Sequence, residues 1–336
     1  VKPERILCLA YTKAAAAEMA QRVFRELADW STTDEPRLIS ELSKLLAREP
    51  TDSELQAARQ LFAHAIETPG GLKVQTIHAF CERLLQRFPL EANVPPGFTI
   101  LEDSTAAALL RDAVDHALTR ANTAPESRLG QAVRQAVTFA ADDQFDKVLA
   151  EALRKRDWIA RLTRLEADRG DLATMAAIEK LYLDAFEVAA DDTEENITTK
   201  LADVLTSAQL EQSVRFLEAG SKSDIKLGTS ARKALAADET AGRAREFEAL
   251  FMTGGKPRSD KTFITKASRA AEPGLSDALL AAKAEYAHLF DVRRRRRIVD
   301  ATVALLTISD HVMTEYTRAK SQRAALDFED LIAHSA

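Results

Sequence analysis

The chain has 336 residues, 46% of them apolar and 29% charged, with a formal net charge of −6. That length and balance exclude an intrinsically disordered chain and permit two domains with real cores, and the low content of glycine, proline and aromatic residues favours helix. The negative charge excludes a uniformly basic surface, so any contact with a polyanion must be local. No apolar run reaches the ~18 residues of a membrane span, and no signal peptide is visible.

The two cysteines, Cys8 and Cys81, have no paired spacing. This argues against a disulfide framework and fits a reducing compartment, so the predicted location is the cytoplasm. His78 and Cys81 form an H-x-x-C pair, but a second pair of ligands is missing, and the sequence predicts no metal site.

The first hundred residues alternate strands and helices. Residues 5–11 form a continuous apolar run, which is typical of a buried parallel strand, and Thr12 then caps a helix. After a polar helical region at 36–66 and a Pro-Gly-Gly turn, a second short strand leads to Thr76, the predicted cap of another helix. Both helix starts offer a hydroxyl beside free backbone N–H groups, which attract anions.

The middle of the chain is predicted to be helical. A short strand is expected at 98–101, and from Ser104, a predicted N-cap, to about Ser321 nearly every segment favours helix. The predicted helices lie near 130–140, 143–167, 171–190, 196–218, 230–252 and 275–320. The last one spaces apolar residues by sevens and should pack along other helices over several turns.

Three short motifs carry a family resemblance: AYTKAAAAEM at 10–19, TIHAFC at 76–81 and ALDFEDL at 325–331. Their order resembles that of superfamily 1 DNA helicases of the UvrD/Rep type. The sequence is most similar to their recombination branch, the AddA and RecB helicase–nuclease proteins, and TPGGLKVQTIHAFC favours AddA over RecB.

The resemblance implies a first RecA-like domain that is interrupted by an accessory helical subdomain. The predicted fold is therefore mainly α with a small α/β part, an incomplete RecA-like (P-loop NTPase) parallel sheet interrupted by a large helical insertion. We expect residues 1–103 to form the partial RecA-like domain, residues 104–320 the helical insertion, and residues 321–336 the return segment.

The chain is expected to be a piece of a longer protein, since it starts at Val1 without methionine and stops a few residues into a predicted helix. It contains no GxxxxGK[ST] phosphate loop and lacks the DExx motif that follows ALDFEDL in the family. The resemblance implies that the parent is an ATP-dependent DNA helicase of double-strand break repair, using ATP and Mg²⁺, with a nuclease domain and an AddB-like partner subunit. The piece alone is expected to hold no catalytic residue and to be inactive.

The resemblance implies that the first two motifs grip single-stranded DNA. Tyr11 is the candidate for stacking on a base, and Thr12 and Lys13 are the candidates for phosphate. Thr76 and His78 are implied to contact DNA on the same face. Family members usually have phenylalanine at the position of Tyr11 and asparagine at that of Lys13. From the residues alone the alternatives stay open: a core-edge tyrosine, a solvated lysine and an ordinary first-turn histidine.

Asp327, Glu329 and Asp330 place three carboxylates within four residues. A metal site is one interpretation. A helix N-cap with acidic residues in the first turn is the favoured one, because acids stabilise the positive end of the helix dipole.

Two basic segments are candidates for contact with duplex DNA, with a solvated surface as the alternative for both. The stretch 221–269 is punctuated by glycine and serine and has eleven Lys/Arg against six Asp/Glu, and a mobile loop near DNA is one interpretation of it. The other segment is a run of five arginines on one helix, which together cover every face of it. These are Arg293, Arg294, Arg295, Arg296 and Arg297.

A competing hypothesis comes from a different functional class. The chain would be a self-standing, non-enzymatic helical module that binds protein partners, with its few strands as scaffold. This hypothesis predicts no affinity for DNA.

Overall fold

The computed structural model describes residues 2–140, 143–155 and 175–335. These residues are mostly helical with a few short strands. The chain divides into two compact units, Val1–Asp112 with Tyr316–Ala336 (unit 1) and Ala113–Glu315 (unit 2). Both limits fall inside helices, where a sequence pattern gives no boundary signal, and the domain limits predicted at 103 and 320 stay predictions.

The elements follow one another in this order. The helices are α1 (Lys13–Thr32), α2 (Glu35–Leu46), α3 (Asp52–Glu67), α4 (Ile77–Arg87), α5 (Asp103–Thr123), α6 (Arg128–Phe139), α7 (Asp143–Arg154), α8 (Met175–Ala185), α9 (Glu194–Ala202), α10 (Ser207–Glu218), α11 (Lys222–Ala236), α12 (Thr240–Phe251), α13 (Asp260–Phe263), α14 (Lys266–Ala271), α15 (Pro273–Gln322) and α16 (Phe328–Ser335). The strands are β1 (Leu7–Ala10), β2 (Lys73–Thr76), β3 (Thr99–Ile100), β4 (Met252–Thr253), β5 (Lys256–Pro257) and β6 (Ala325–Leu326). None of the helices in the described part of the chain combines the length and the apolar run needed to cross a membrane.

Unit 1 is built on two pairs of parallel strands. β1 pairs with β2, and β3 pairs with β6 through Thr99 opposite Ala325 and Ile100 opposite Leu326. The return segment therefore rejoins the strand that precedes the long helical region. The pairs form separate two-stranded sheets among the described residues.

The first strand is present but is not buried as the sequence predicted. Leu7 and Leu9 are each 41% exposed. An apolar run is typical of a strand covered on both faces, whereas β1 has a single strand neighbour, β2, among the described residues.

Two apolar clusters hold the helices of unit 1. Trp30 on α1 packs with Leu38 of α2 and Ala58 of α3, and its indole Nε1 donates a hydrogen bond to Glu41 at 2.9 Å. The second cluster joins α4 to α16, β6 and the connector that precedes β3. Its buried members are Cys81, Leu85, Val94, Phe98, Leu326 and Leu331.

Unit 2 has a large core formed by α9 to α13 and by α15. Aromatic rings dominate its centre: Phe251 lies 5.6 Å from Tyr286 and 6.0 Å from Phe263, measured between ring centroids. The Tyr286 hydroxyl donates a hydrogen bond to the carbonyl of Ala244 at 2.8 Å, so its polar end is satisfied inside this core.

Several element limits differ from the prediction. α5 begins at Asp103, so Ser104 lies in its first turn and is not the cap. The helix predicted near 230–252 is two helices, α11 and α12. The helices predicted at 143–167 and 171–190 extend over 156–174, which lie outside the described residues.

The stretch 221–269 is not a mobile loop. It forms α11, α12, the β4–β5 hairpin, α13 and α14. The Gly-Gly pair that suggested a loop is the tight turn of the hairpin, where Gly254 and Gly255 have φ values of 56° and 73°. Such a turn requires positive φ at both central residues, which glycine adopts without strain.

A buried carboxylate fixes this region. Asp224 completes the capping box of α11 by accepting from the backbone N–H of the N-cap Ser221 at 3.0 Å. It also accepts from the Thr265 hydroxyl at 2.6 Å and the Ser268 hydroxyl at 2.8 Å. Burial raises the pKa of the Asp224 carboxyl, but the hydrogen bonds from Thr265, Ser221 and Ser268 outweigh it and lower the pKa to about 2. One carboxylate therefore ties the start of α11 to α14.

We expect Asp224→Ala to lower the free energy of unfolding by about 2–4 kcal/mol, because several buried donors lose their acceptor. Urea unfolding followed by circular dichroism measures this, with the exposed Asp238→Ala as the control. The stabilisation that the ionised Asp224 carboxylate gives to the folded state is complete above the ordinary aspartate pKa of about 4. It is lost as the pH falls toward about 2. The gap between wild type and Asp224→Ala should therefore shrink over that pH range, and a gap that stays constant contradicts the account.

Candidate nucleic-acid interface

The carboxyl ends of β1 and β2 lie at one edge of their sheet. The parallel register runs from Leu7 opposite Lys73 to Ala10 opposite Thr76. Each strand passes within two residues into a helix, β1 into α1 and β2 into α4. Two helix N-termini, with their unpaired N–H groups and positive dipole ends, therefore begin side by side.

The turn after β1 presents an aromatic ring to solvent. Tyr11 is 87% exposed, which excludes the alternative of a core-edge aromatic. Thr12 is confirmed as the N-cap of α1, because its Oγ1 accepts a hydrogen bond from the N–H of Ala15 at 3.1 Å. Lys13, the first residue of α1, is exposed and forms no ion pair with any described residue.

The end of β2 repeats this arrangement. Thr76 is confirmed as the N-cap of α4, with Oγ1 accepting from the N–H of Ala79 at 3.1 Å. A threonine hydroxyl also carries one O–H donor. For Thr12 and Thr76 that donor has no acceptor among the described residues, so both hydroxyls are able to donate to an incoming oxygen.

His78, in the first turn of α4, contacts an aromatic ring that the sequence did not single out. The ring centroids of His78 and Phe328 are 5.2 Å apart with an interplanar angle of 76°, an edge-to-face contact. Phe328 is the first residue of α16 and is exposed. The sequence showed it only as part of ALDFEDL, because a contact across 250 positions leaves no local signal.

Two of the three acidic residues near the end of the chain, Asp327 and Asp330, form a helix cap, as predicted. Asp327 Oδ1 accepts hydrogen bonds from the N–H groups of Glu329 and Asp330 at 3.1 Å and 3.0 Å. In return, the N–H of Asp327 donates to Asp330 Oδ2 at 3.0 Å. In the described part of the chain, no group of three or more His, Cys, Asp or Glu side chains is placed to hold a metal ion.

The arginine run on α15 is largely engaged within the protein. Arg293 pairs with Glu194 and Glu248, Arg295 with Asp291 and Glu187, and Arg296 with Asp300 and Glu179. The guanidinium of Arg297 lies over the ring of Phe139, 5.5 Å from its centroid. Arg294 is exposed and has no ion pair or ring contact among the described residues, so it is the member of the run that is open to a ligand.

A second basic surface lies on α11 and was hidden in the predicted loop. Lys222, Lys226 and Lys233 are exposed, and none forms an ion pair with any described residue. At 3.6 residues per turn they share an arc of about 40°. We call these three residues the lysine ridge. The buried residues of α11 lie on the opposite side of the helix, among them Leu227, Ala231 and Ala234.

No opposite charge of α11 itself neutralises the ridge. The one acidic residue of this helix, Asp224, is buried and engaged in the cap. Its fourth basic residue, Arg232, is paired with Glu218 of α10. The outward face of α11 is therefore uniformly positive on a chain whose net charge is negative.

Comparison with known proteins identifies the family. The UvrD/REP helicase N-terminal domain matches residues 1–336 of the chain. Curated relatives include the A subunit of the ATP-dependent helicase/nuclease of Lysinibacillus sphaericus, 24% identical over 201 residues, which are 60% of this chain and 14% of that protein. The protein of the same name from Levilactobacillus brevis is 33% identical over 111 residues, 33% of this chain and 7% of that protein.

A third relative of that name, from Heliobacterium modesticaldum, is 28% identical over 120 residues, 36% of this chain and 7% of that protein. The chain thus spans a small part of the length of the curated relatives it matches. These matches confirm the resemblance carried by AYTKAAAAEM, TIHAFC and ALDFEDL. With the family match over its whole length, the chain belongs to the UvrD/REP helicase N-terminal domain family.

Proposed function

We propose that this chain is part of an AddA-type, ATP-dependent DNA helicase, and that the carboxyl ends of β1 and β2 form part of its path for single-stranded DNA. The carrying observation is the register that pairs Ala10 with Thr76, since it sets two capped helix N-termini at one sheet edge. The name that the relatives share, which describes an ATP-dependent helicase/nuclease, supports the class.

Each side chain at this edge has a chemical role in the proposed path. Tyr11 offers a free ring face on which any base can stack, a contact that is indifferent to sequence. Thr12, Lys13 and Thr76 supply hydroxyl donors and a positive charge for phosphate, beside helix N-termini that favour anions. His78 donates a ring N–H to the same DNA strand. Its edge-to-face contact with the Phe328 ring holds the imidazole in place.

The longer protein is proposed to act in double-strand break repair, with a nuclease domain and an AddB-like partner subunit. We propose that the described residues of this chain do not bind ATP or Mg²⁺. The sequence has no GxxxxGK[ST] loop for the phosphates, and Asp327 and Asp330 are engaged in the cap of α16. We therefore propose that other parts of the longer protein bind the nucleotide, and that this chain alone does not hydrolyse ATP.

We further propose that unit 2 contacts duplex DNA through the lysine ridge and Arg294. Along α11, Lys226 and Lys233 rise about 6 Å and 16 Å above Lys222, so the charges follow a line rather than a point. A line of unpaired ammonium groups suits the regularly spaced phosphates of a nucleic-acid backbone and releases counterions on binding.

We expect Tyr11→Ala to weaken binding of single-stranded DNA by about 5- to 150-fold, the equivalent of ~1–3 kcal/mol for one stacked base. Tyr11→Phe keeps the ring and should retain most of the affinity. His78→Ala should also weaken binding. Fluorescence anisotropy with a labelled oligonucleotide at low salt measures the effect.

Leu90→Ala is the control for Tyr11→Ala, because Leu90 is an exposed apolar residue of the same unit, away from the strand ends. Equal affinities for wild type, Tyr11→Ala and His78→Ala would contradict the proposed path. A folded wild-type chain without affinity for DNA at low salt would favour the competing hypothesis of a protein-interaction module.

We expect the triple variant Lys222→Gln, Lys226→Gln and Lys233→Gln to weaken binding of a DNA fork or duplex. The slope of log K against log salt should fall by about 0.9 for each phosphate that the variant no longer neutralises, hence by about 2–3 in total. Affinity for a short single strand should change little, because the Tyr11 edge is untouched. Anisotropy titrations over a salt series measure both quantities.

A matched control replaces three exposed lysines that lie elsewhere and form no ion pair with described residues, Lys44, Lys147 and Lys180, with glutamine. It changes the net charge by the same amount. If the control lowers the salt slope as much as the ridge variant does, the effect is one of net charge and the ridge is not a binding surface.

A further inference from the structure

A buried charged cluster lies where the end of α15 leads into β6 and α16. Lys320 and Asp327 are each only 4% exposed. The ammonium of Lys320 is 3.1 Å from Asp327 Oδ2 and also contacts Asp330. The hydroxyl of Tyr316 donates to the same Asp327 Oδ2 at 2.8 Å. The proposed path for DNA uses none of these four groups.

The cluster contacts the start of α16. The two carboxylate oxygens of Asp327 have different partners. Oδ1 accepts a hydrogen bond from the cap of α16, and Oδ2 accepts hydrogen bonds from Tyr316 and Lys320. Asp330, the third residue of the helix, is held by the same ammonium. Lys320 therefore contacts the carboxylates of Asp327 and Asp330, on either side of the first turn of α16.

Phe328 lies between these two held residues and is the ring that contacts His78. A continuous set of contacts thus runs from Lys320 through Asp327 and Phe328 to His78. Each step is a hydrogen bond, a peptide bond or a ring contact. Rotation of the first turn of α16 would move the Phe328 ring away from the imidazole.

A contribution to folding stability alone does not explain why these charged residues are buried. Removing charges from water is costly, and apolar residues of similar volume often replace a buried ion pair without loss of stability. A directional set of charged hydrogen bonds does, however, fix orientation in a way that apolar packing does not.

We propose that Lys320 is a positioning residue of the DNA-binding edge: it orients the first turn of α16, and through Phe328 it sets the imidazole of His78. The inference rests on the proposed function, because it assigns a purpose to the His78 contact. Tyr316 acts with Lys320 by holding the same carboxylate oxygen.

The test is a mutant cycle of Lys320→Met, Phe328→Leu and the double variant. Affinity for single-stranded DNA is measured by anisotropy, and the His78 imidazole proton shifts by NMR, assigned with His78→Ala. Each single change should weaken DNA binding by about 2- to 13-fold, the range of one edge-to-face aromatic contact. The double variant should bind no more weakly than Phe328→Leu, because both changes act through the same ring.

The NMR readout separates positioning from general destabilisation. Phe328→Leu removes the ring current at His78, and Lys320→Met should move the same proton signals in the same direction. Leu38→Ala is the control, since Leu38 is fully buried in the other apolar cluster of unit 1 and its truncation destabilises without touching this path. It should leave both the His78 signals and the DNA affinity unchanged.

If Lys320→Met does not fold, Tyr316→Phe takes its place in the cycle, because it removes only the hydroxyl that Asp327 accepts from. Unchanged His78 signals in the folded variant, or losses of affinity that multiply in the double variant, overturn the positioning role. Absence of DNA binding by the wild type would overturn the proposed function, and the His78 signals would still report whether the contact path exists.

Discussion

Parallel strand pairing is the constraint on which the candidate site depends. Two parallel strands cannot be joined by a tight turn, so a crossover must carry the chain back to the start of the sheet. Here α1 to α3 make that crossover between β1 and β2. As a result the carboxyl ends of both strands meet at one edge, and Tyr11, Thr12 and Thr76 gather there although more than sixty residues separate the two motifs.

The same constraint governs the return of the chain. β3 and β6 pair over two residues each, although the helical region of unit 2 lies between them in the sequence. So short a ladder supplies few hydrogen bonds, and the surrounding contacts fix its position. Leu326 and Leu331 pack against α4, while Asp327 is held by Tyr316 and Lys320. Apolar burial brings α16 to α4, and the charged cluster determines how it is oriented there.

Local signals were predictable and long-range partners were not. Thr12 and Thr76 were identifiable as caps because an N-cap depends on a side chain and a backbone N–H three residues apart. The long helix near 275–320 followed from spacing alone. By contrast, the Thr265 hydroxyl that satisfies Asp224 lies 41 positions away. A Ser/Gly-rich stretch therefore resembled a loop, although a buried carboxylate orders it.

The basic residues also show that a sequence pattern does not reveal long-range partners. Five consecutive arginines are the most conspicuous basic feature of the sequence. Three of them pair with acids of the same unit. Only Arg294 has neither an ion pair nor a ring contact among the described residues. Lys222, Lys226 and Lys233 are scattered over twelve positions and draw no attention, yet the helix brings them onto one face. Only the charged side chains that are not paired within the protein are available to a ligand. A chain of net charge −6 can thus present a positive line to a polyanion, and folding rather than composition decides where that line runs.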